Sequence, residues 1–493
     1  MGAPDNMVFM GIPIGMTGGY FLEINPVPSD ALPDMERKFL LIGQKLSSGI
    51  DAVQSPVRVS NAEDAALRYG RGSSLHRMMM YVDQAKAMYG TIDVWAMALD
   101  DNAAGTAATG TLVYTGSATE ARAMPVWVGG NYMTVGVAYG DTAAQVATKV
   151  AAAINADVNL PVTATAATST VTVTSRHKGE IGNGLELASI YYTDDRLPTG
   201  ITAVATNLSG GTGNPTLSAA IAAIAGEPFY SIVVPYTDSA NMTALEAEMT
   251  VRFSGMQMMT GHVFNAKDDT MSGLTTWGAT RNSAHGTTWG LKGCPTWHAE
   301  RIAGFAAVCE ASGAQHPAMP LRNLEIPGVL APRIKDRFSR DEREMLLKDG
   351  ISSTWSTRDN KVYLERVITN YQKNPQGIGD QSLLRLESKW QVDYYRYAHK
   401  VDVALRHPRA ILVDDDANIS PDLPHVKPKI LAAEAYALDL KLEYAGIIEG
   451  VKANKDKYRF MRSMVDKDRV NAILPPNLAN QFVTFAASVQ FQL

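Results

Sequence analysis

The sequence predicts an α/β core on a mostly parallel sheet, interrupted by a small β-rich domain and followed by an α+β domain. Three observations carry this. Apolar strand-like runs alternate with helix-like stretches before residue 100 and again from 214 to 350, the pattern of a sheet covered on both faces. From 101 to 213 the chain is dominated by Ala, Thr, Gly and Val, with far fewer charges than the 19% average. From 351 to 493 a hairpin, a long amphipathic helix and short strands follow one another. The core is thus discontinuous, 38–100 with 214–350. The insert is 101–213, the C-terminal domain 351–493, and 1–37 an extended Gly- and Pro-containing arm.

Within the arm, YFLEI (Tyr20 to Ile24) is strand-like. KFLLIGQKL (Lys38 to Leu46) is an apolar strand. AEDAALRYG and SLHRMMMYVDQAKAMYG are helices, with Asn61 and Ser73 or Ser74 as N-caps. TIDVWAMAL (Thr91 to Leu99) is a second buried strand. In the insert, TLVYTG, MPVWVGG, YMTVGVAYG and STVTVTSR read as strands between turns. TAAQVATKVAAAINAD reads as one helix capped at Asp141 or Thr142.

The strand–helix alternation then resumes. TLSAAIAAIAG is a helix, FYSIVVPY a strand, NMTALEAEMTVRFSGMQMM a helix and GHVFNAK a strand. SGLTTWGATRNS is helical and HGTTWGL a strand. PTWHAERIAGFAAVCEASG is a long helix with Pro295 near its first turn. Pro320 to Gly350 is a Pro-containing connection ending in a helix. ISSTWSTRDNKVYLERVITNYQ is a hairpin turning at Arg358-Asp359-Asn360. In QSLLRLESKWQVDYYRYAHKVDVAL, a helical stripe runs through Leu383, Leu386, Trp390, Tyr394, Tyr397, Val401 and Leu405. ILAAEAYALDLKLEYAG begins as a helix and alternates like a strand in its second half. RVNAILPP and FVTFAASVQFQL close the chain as strands, either paired with each other or left for another molecule.

Bulk properties narrow the function. The 493 residues are 46% hydrophobic with net charge −5, which gives no reason to expect a nucleic-acid partner. Two cysteines, Cys294 and Cys309, fit a reducing compartment. MGAPDNMVFMGIPIG lacks the charged and apolar regions of a signal peptide. No run approaches the ~18 apolar residues of a membrane span. Assembly in a cytoplasm, without a membrane, is expected. From Ile351 onward Lys and Arg outnumber Asp and Glu, so the C-terminal domain suits an acidic partner.

Chemical motifs are sparse. His285-Gly286-Thr287 echoes the catalytic histidine context of subtilisin-like proteases, yet no serine motif or orienting aspartate accompanies it. Gly70-Arg71-Gly72 lacks the third glycine of a dinucleotide site. Cys294, His298 and Glu300 are too few for a zinc site. Asp414-Asp415-Asp416 lacks the alternating ligands of a calcium loop. No catalytic, cofactor-binding or metal-binding residue is expected, and a subtilisin-fold hydrolase is the alternative from the enzyme class.

The ends are more informative. In FVTFAASVQFQL one face carries Val483, Phe485, Ala487, Val489, Phe491 and Leu493. An apolar strand without a partner invites another chain. Between identical subunits such a contact is heterologous and propagates into rings or helices. Tyr20, Leu22 and Ile24 can add to a neighbour's sheet in the same way.

PLRNLEIPGVLAP, SRHKGEIGN, DGISSTWSTRDNKVYLERVITNYQKN and RVNAILPPNLANQFVTFAASVQFQL closely resemble segments of the tail sheath proteins of Mu-like contractile phages. The resemblance spans most of the chain. It implies a subtilisin-like core without protease activity, and an insert on the outer surface. It implies a homo-oligomer: a helical sheath of stacked hexameric rings around a tail tube protein, bounded by baseplate and tail terminator proteins. Contraction would drive the tube through a bacterial envelope, and the sheath of a phage-derived bacteriocin or injection particle is a variant of the same reading. Terminal strands would link subunits. The charged cluster Asp466, Lys467, Asp468 and Arg469 is a candidate tube contact.

Overall fold

The structure is a computed structural model and describes residues 32–491. Tyr20, Leu22, Ile24 and Leu493 lie outside the described residues. The larger compact unit begins at Met35.

β1 (Lys38–Gln44) is buried from Phe39 to Gln44. After β2 (Val57–Arg58), α1 (Ala62–Tyr69) and α2 (Ser74–Tyr89), β3 (Asp93–Leu99) returns beside it in parallel. The helices start where side-chain oxygens can take orphan amides: Asn61 accepts from Asp64 N, and Ser73 from His76 N.

The next strands build two small antiparallel sheets. β4 (Ala107–Gly116), β7 (Val162–Ala167), β8 (Thr170–Lys178) and β10 (Ile201–Ser209) form one in the order β10-β4-β8-β7. β5 (Arg122–Val128), β6 (Asn131–Val137) and β9 (Leu187–Ala188) form the other. α3 (Ala143–Ala156) opens with a reciprocal Thr142–Gln145 capping box and buries Val146, Val150 and Ile154 on one face.

The main sheet then grows on the other side of β1. α4 (Ser218–Ala223), β11 (Phe229–Val233), α5 (Ser239–Phe253), β12 (His262–Asp268), α6 (Met271–Gly278), β13 (Gly286–Leu291), α7 (His298–Gln315) and α8 (Arg340–Lys348) follow in turn. β14 (Ile351–Ser356) pairs in parallel with β13 and antiparallel with β15 (Val362–Arg366). The eight-stranded order is β15-β14-β13-β12-β11-β1-β3-β2, parallel except at its two edges. Phe264 of β12 meets Phe305 of α7 at 6.4 Å, while its neighbour Asn265 reaches Met242 of α5 at 3.5 Å. Successive strand residues point to opposite faces, so helices cover both.

The fold of α7 into this core is unusual in its charge. Every residue from Ala299 to Gly313 is buried, including Glu300, Arg301 and Glu310. Each is answered. Arg77 of α2 donates to Glu300 at 2.5 Å, Asp268 at the end of β12 lies 2.7 Å from Arg301, and Arg37 donates to Glu310 at 2.5 and 3.1 Å.

α9 (Leu386–Arg406) leaves the core carrying the C-terminal module: β16 (Ile411–Leu412), β17 (His425–Val426), α10 (Pro428–Tyr444), β18 (Arg459–Arg462) and β19 (Val470–Ile473). Its hub is the buried carboxylate of Asp439. It accepts from Tyr395 at 3.0 Å, from His399 Nε2 at 2.8 Å and from the Tyr458 hydroxyl.

Four expectations change. The hairpin from Ile351 extends the large sheet, so the boundary at 351 falls inside it. α10 is helical throughout, because Ala435, Leu438 and Leu442 bury at helical spacing and the apparent alternation is incidental. α7 begins at His298, three residues after the start of the stretch PTWHAERIAGFAAVCEASG read as helix. RVNAI pairs with RFMR in the β18–β19 hairpin and not with the terminal segment. The burial of α9 also departs from the apolar stripe: Glu387, Lys389, Gln391 and Asp393 are buried, while Leu405 is exposed.

Replacing Arg77 by Leu leaves Glu300 buried without its counter-charge and should destabilise the subunit by about 3–5 kcal/mol. Replacing both by Leu should restore most of that loss. Urea unfolding midpoints of the single and double variants check this.

Candidate functional site

The chemical motifs disperse. His285 is buried against the Phe253 ring at 4.8 Å, and its backbone amide donates to Ser283 Oγ. Burial, with Lys389 and Arg396 nearby, lowers its pKa to about 3. Gly70 ends α1 and Gly72 turns the chain at positive φ. Cys294 donates from Sγ to the Leu330 carbonyl and burial raises its pKa to about 11, while Glu300 is held by Arg77. Asp415 accepts from the Lys429 amide at 2.9 Å, and Lys427 donates to the Ala417 carbonyl at 2.7 Å. Among the described residues no three His, Cys, Asp or Glu side chains converge as metal ligands, and no helix is long and apolar enough to cross a membrane.

A cavity of about 250 Å³ lies at the carboxyl ends of β11 and β12, the usual ligand crevice of an open α/β sheet. Here Glu180, Ile181, Asn183 and Gly184 line it from the chain between β8 and β9. The inserted segment is tied to this end of the sheet. Gln44 donates to Asp101 at 2.7 Å and to the Lys178 carbonyl at 2.8 Å, and Trp297 donates to the Ile181 carbonyl at 2.7 Å.

Several of the most exposed apolar side chains lie in the last segments of the chain. Asn477 and Ala479 pair antiparallel with the 447–449 segment: Glu449 N donates to Asn477 O at 2.8 Å and Ala479 N to Ile447 O at 3.2 Å. Arg322 donates to the carbonyl of Val483, which is half-buried. Beyond it the chain runs without secondary structure to residue 491. Phe485, Val489 and Phe491 are 79%, 85% and 80% exposed. Phe482, which the strand reading puts on the opposite face, is 75% exposed as well, so this segment leaves large apolar side chains on both sides in solvent.

The turn between β18 and β19 holds Asp466, Lys467, Asp468 and Arg469, all exposed. It is internally braced: Arg462 donates to the Lys467 carbonyl at 2.6 Å, and Asp468 N to Asp466 Oδ1 at 3.1 Å. Met464 and Val465 stand beside the charges at 90% and 97% exposure. Sequence reading attended to the charges and missed this apolar pair. Two apolar residues between Ser463 and Asp466, at a hairpin tip, are the signal that was available. Among the described residues β18 and β19 have no strand neighbour but each other.

The family model described as the phage tail sheath protein central domain matches residues 210–370. The chain is 34% identical over 461 residues to the Mu-like prophage FluMu tail sheath protein of Haemophilus influenzae, covering 94% of each. Among solved structures it is similar to a sheath tail protein from Desulfitobacterium hafniense, with TM-score 0.48, 13% identity, 93% of this chain and 100% of that chain. It is also similar to the PVC sheath complex of an extracellular contractile injection system in the contracted state. There the TM-score is 0.48, the identity 8% and the coverage 97% and 99%.

Buried histidines set an acid limit. Burial, with Arg77 and Arg71 nearby, lowers the pKa of His76 to about 4, and its Nδ1 accepts from Gly72 N. Above pH 6.5 His76 and His285 are neutral folded or unfolded and neither affects stability. Below it the unfolded chain binds protons that the fold refuses. Stability is therefore lost from pH 6.5 down to about 4 for His76 and about 3 for His285, by up to about 1.4 kcal/mol per pH unit for each histidine. His285→Phe should flatten the slope by one histidine's share, measured as urea midpoint against pH.

Proposed function

The chain belongs to the tail sheath family of Mu-like contractile phages, and from that premise we propose how its parts build and work the sheath. Subunits stack as hexameric rings in a helix around a tail tube protein, between baseplate and tail terminator proteins. The assembly forms in the cytoplasm of the host bacterium. The C-terminal module faces the tube; the subtilisin-like α/β core and the 101–213 insert face outward. The segment from Phe482 joins a neighbour's sheet, as do Tyr20, Leu22 and Ile24 of the N-terminal arm.

The observation that carries this reading is the terminal segment itself. Its root is hydrogen-bonded at residues 477–483, and Phe482, Phe485, Val489 and Phe491 stand exposed along it. Among the described residues, both edges of the β18–β19 hairpin are without a further strand. Strand addition satisfies the backbone of both, and backbone ladders persist while rigid bodies move around them.

Contraction is a cooperative change between two packings of the same subunits. No nucleotide is required where the energy is laid down in the lattice during assembly. At ~25 cal/mol per Å² of apolar surface, modest additional burial supplies a few kcal/mol per subunit. Asp466, Lys467, Asp468 and Arg469 are the proposed tube contact, with Met464 and Val465 beside them. Charged contacts of this exposed kind are weak and breakable, as a contact released on contraction must be.

Electron microscopy of the full chain should show hollow tubes wide enough for an absent tail tube. A chain ending at Gln481 should not form them. Tubes from both would return the terminal segment to its own subunit. Charge reversal at Asp466, Lys467, Asp468 and Arg469 should abolish decoration of tail tubes while leaving self-assembled tubes intact. Unchanged decoration would remove these four residues from the tube contact.

A further inference from the structure

The roots of the two terminal segments converge on adjacent residues of one helix. Trp390 of α9 is fully buried, and the guanidinium of Arg37 lies 4.8 Å from its ring. The same guanidinium stacks over Tyr230 at 3.8 Å and pairs with Glu310. Arg37 follows Met35, where the described unit begins. The packing is close. A Cβ on Gly313 would lie 2.3 Å from the Trp390 ring and 3.0 Å from Arg37 Nη2.

The next residue, Gln391, commits its whole side-chain amide to the other end of the chain. Nε2 donates to the carbonyls of Ile447 at 2.8 Å and Ala479 at 2.9 Å, and Oε1 accepts from Gln481 Nε2 at 3.3 Å. Two carbonyls on one nitrogen fix which way the amide points. Arg385, at the N-cap of α9, donates to Gln481 Oε1 at 3.4 Å.

We infer that the start of α9, from Arg385 to Gln391, is the junction that couples the two terminal arms. A displacement of one arm reaches the other through Arg37, Trp390, Gln391 and Gln481, without passing through the C-terminal module. Close-packed interiors transmit strain in this way. In an arm-linked lattice the junction makes the two attachments of a subunit respond together. The inference rests on reading both termini as inter-subunit arms.

The test is hydrogen–deuterium exchange of the full chain, followed in peptides covering 447–449 and 477–481, in the free subunit and in tubes. Arg37→Lys keeps the charge against Glu310 but loses the planar stack and the fork. It should raise exchange at these peptides roughly tenfold, the size of one ordinary hydrogen-bond contribution, although Arg37 touches neither. Gln391→Leu should do the same, and the double variant should exceed Gln391→Leu alone by little. Arg77→Lys, which perturbs the other end of α7, is the comparator and should leave both peptides unchanged. No response to Arg37→Lys, or an equal response to Arg77→Lys, overturns the junction. Coupled exchange in a free subunit that never forms tubes upholds the junction and overturns the arm reading instead.

Discussion

The burial of α7 with its charges is the constraint on which the rest of the subunit depends. A helix sunk among strands would ordinarily be apolar all round. Glu300, Arg301 and Glu310 make α7 tolerable in only one orientation, because each needs its own counter-charge and an unpaired buried charge costs several kcal/mol. Arg77 comes from α2, Asp268 from the end of β12, and Arg37 from the entry to β1. Satisfying all three at once sets the position of a helix, a strand end and the chain entry. The aromatic stack of Trp289 on Phe305 at 5.0 Å then fills the space between α7 and β13.

Such pairs add little net stability over apolar packing, but they penalise every mis-set alternative. That suits a subunit that must keep its internal arrangement while its external contacts change. The same device recurs at the start of α9. Lys389 and Asp393 pair one turn apart inside the core, and Lys389 also donates to the Gly261 carbonyl at 3.1 Å. α9 is therefore anchored at its N-terminal half and projects at its C-terminal half, where Val403 and Leu405 are exposed. The C-terminal module is carried on that projecting end and knitted to it by Asp439.

These buried charges are also where sequence reading stops. Strand and helix identities in the core were legible because β1, β3, β11 and β12 are short apolar runs with helices between them, and Asn61, Ser73 and Thr142 announce helix starts. The α9 stripe was half legible. Leu386 and Trp390 were read as buried, but Lys389, Gln391 and Asp393 carry no sign in sequence that their partners lie inside. Period two and period 3.6 overlap over a few residues, which is why ALDLKLEY resembled a strand. The place of β14 and β15 in the main sheet was illegible for a different reason. Pairing with β13 is a long-range choice, and the composition change at Ile351 suggested a boundary where hydrogen bonds run on.

The exposed apolar residues complete the argument, since they are what remains after the internal constraints are met. In the last fifty residues Tyr444, Met464, Val465, Phe485, Val489 and Phe491 all face solvent, on a module whose own core is small. Large apolar side chains gathered this way on one module mark surface meant for other molecules. The two-stranded β18–β19 sheet packs on α10, where Tyr436 meets Tyr458 at 5.8 Å, and among the described residues has no third strand. The C-terminal module keeps a small core of its own, with Leu438, Leu442, Ile447 and Ile448 buried beside Asp439, and the exposed apolar side chains lie outside it. The subunit thus combines a body whose buried charges admit one internal arrangement with a C-terminal periphery that leaves large apolar side chains in solvent.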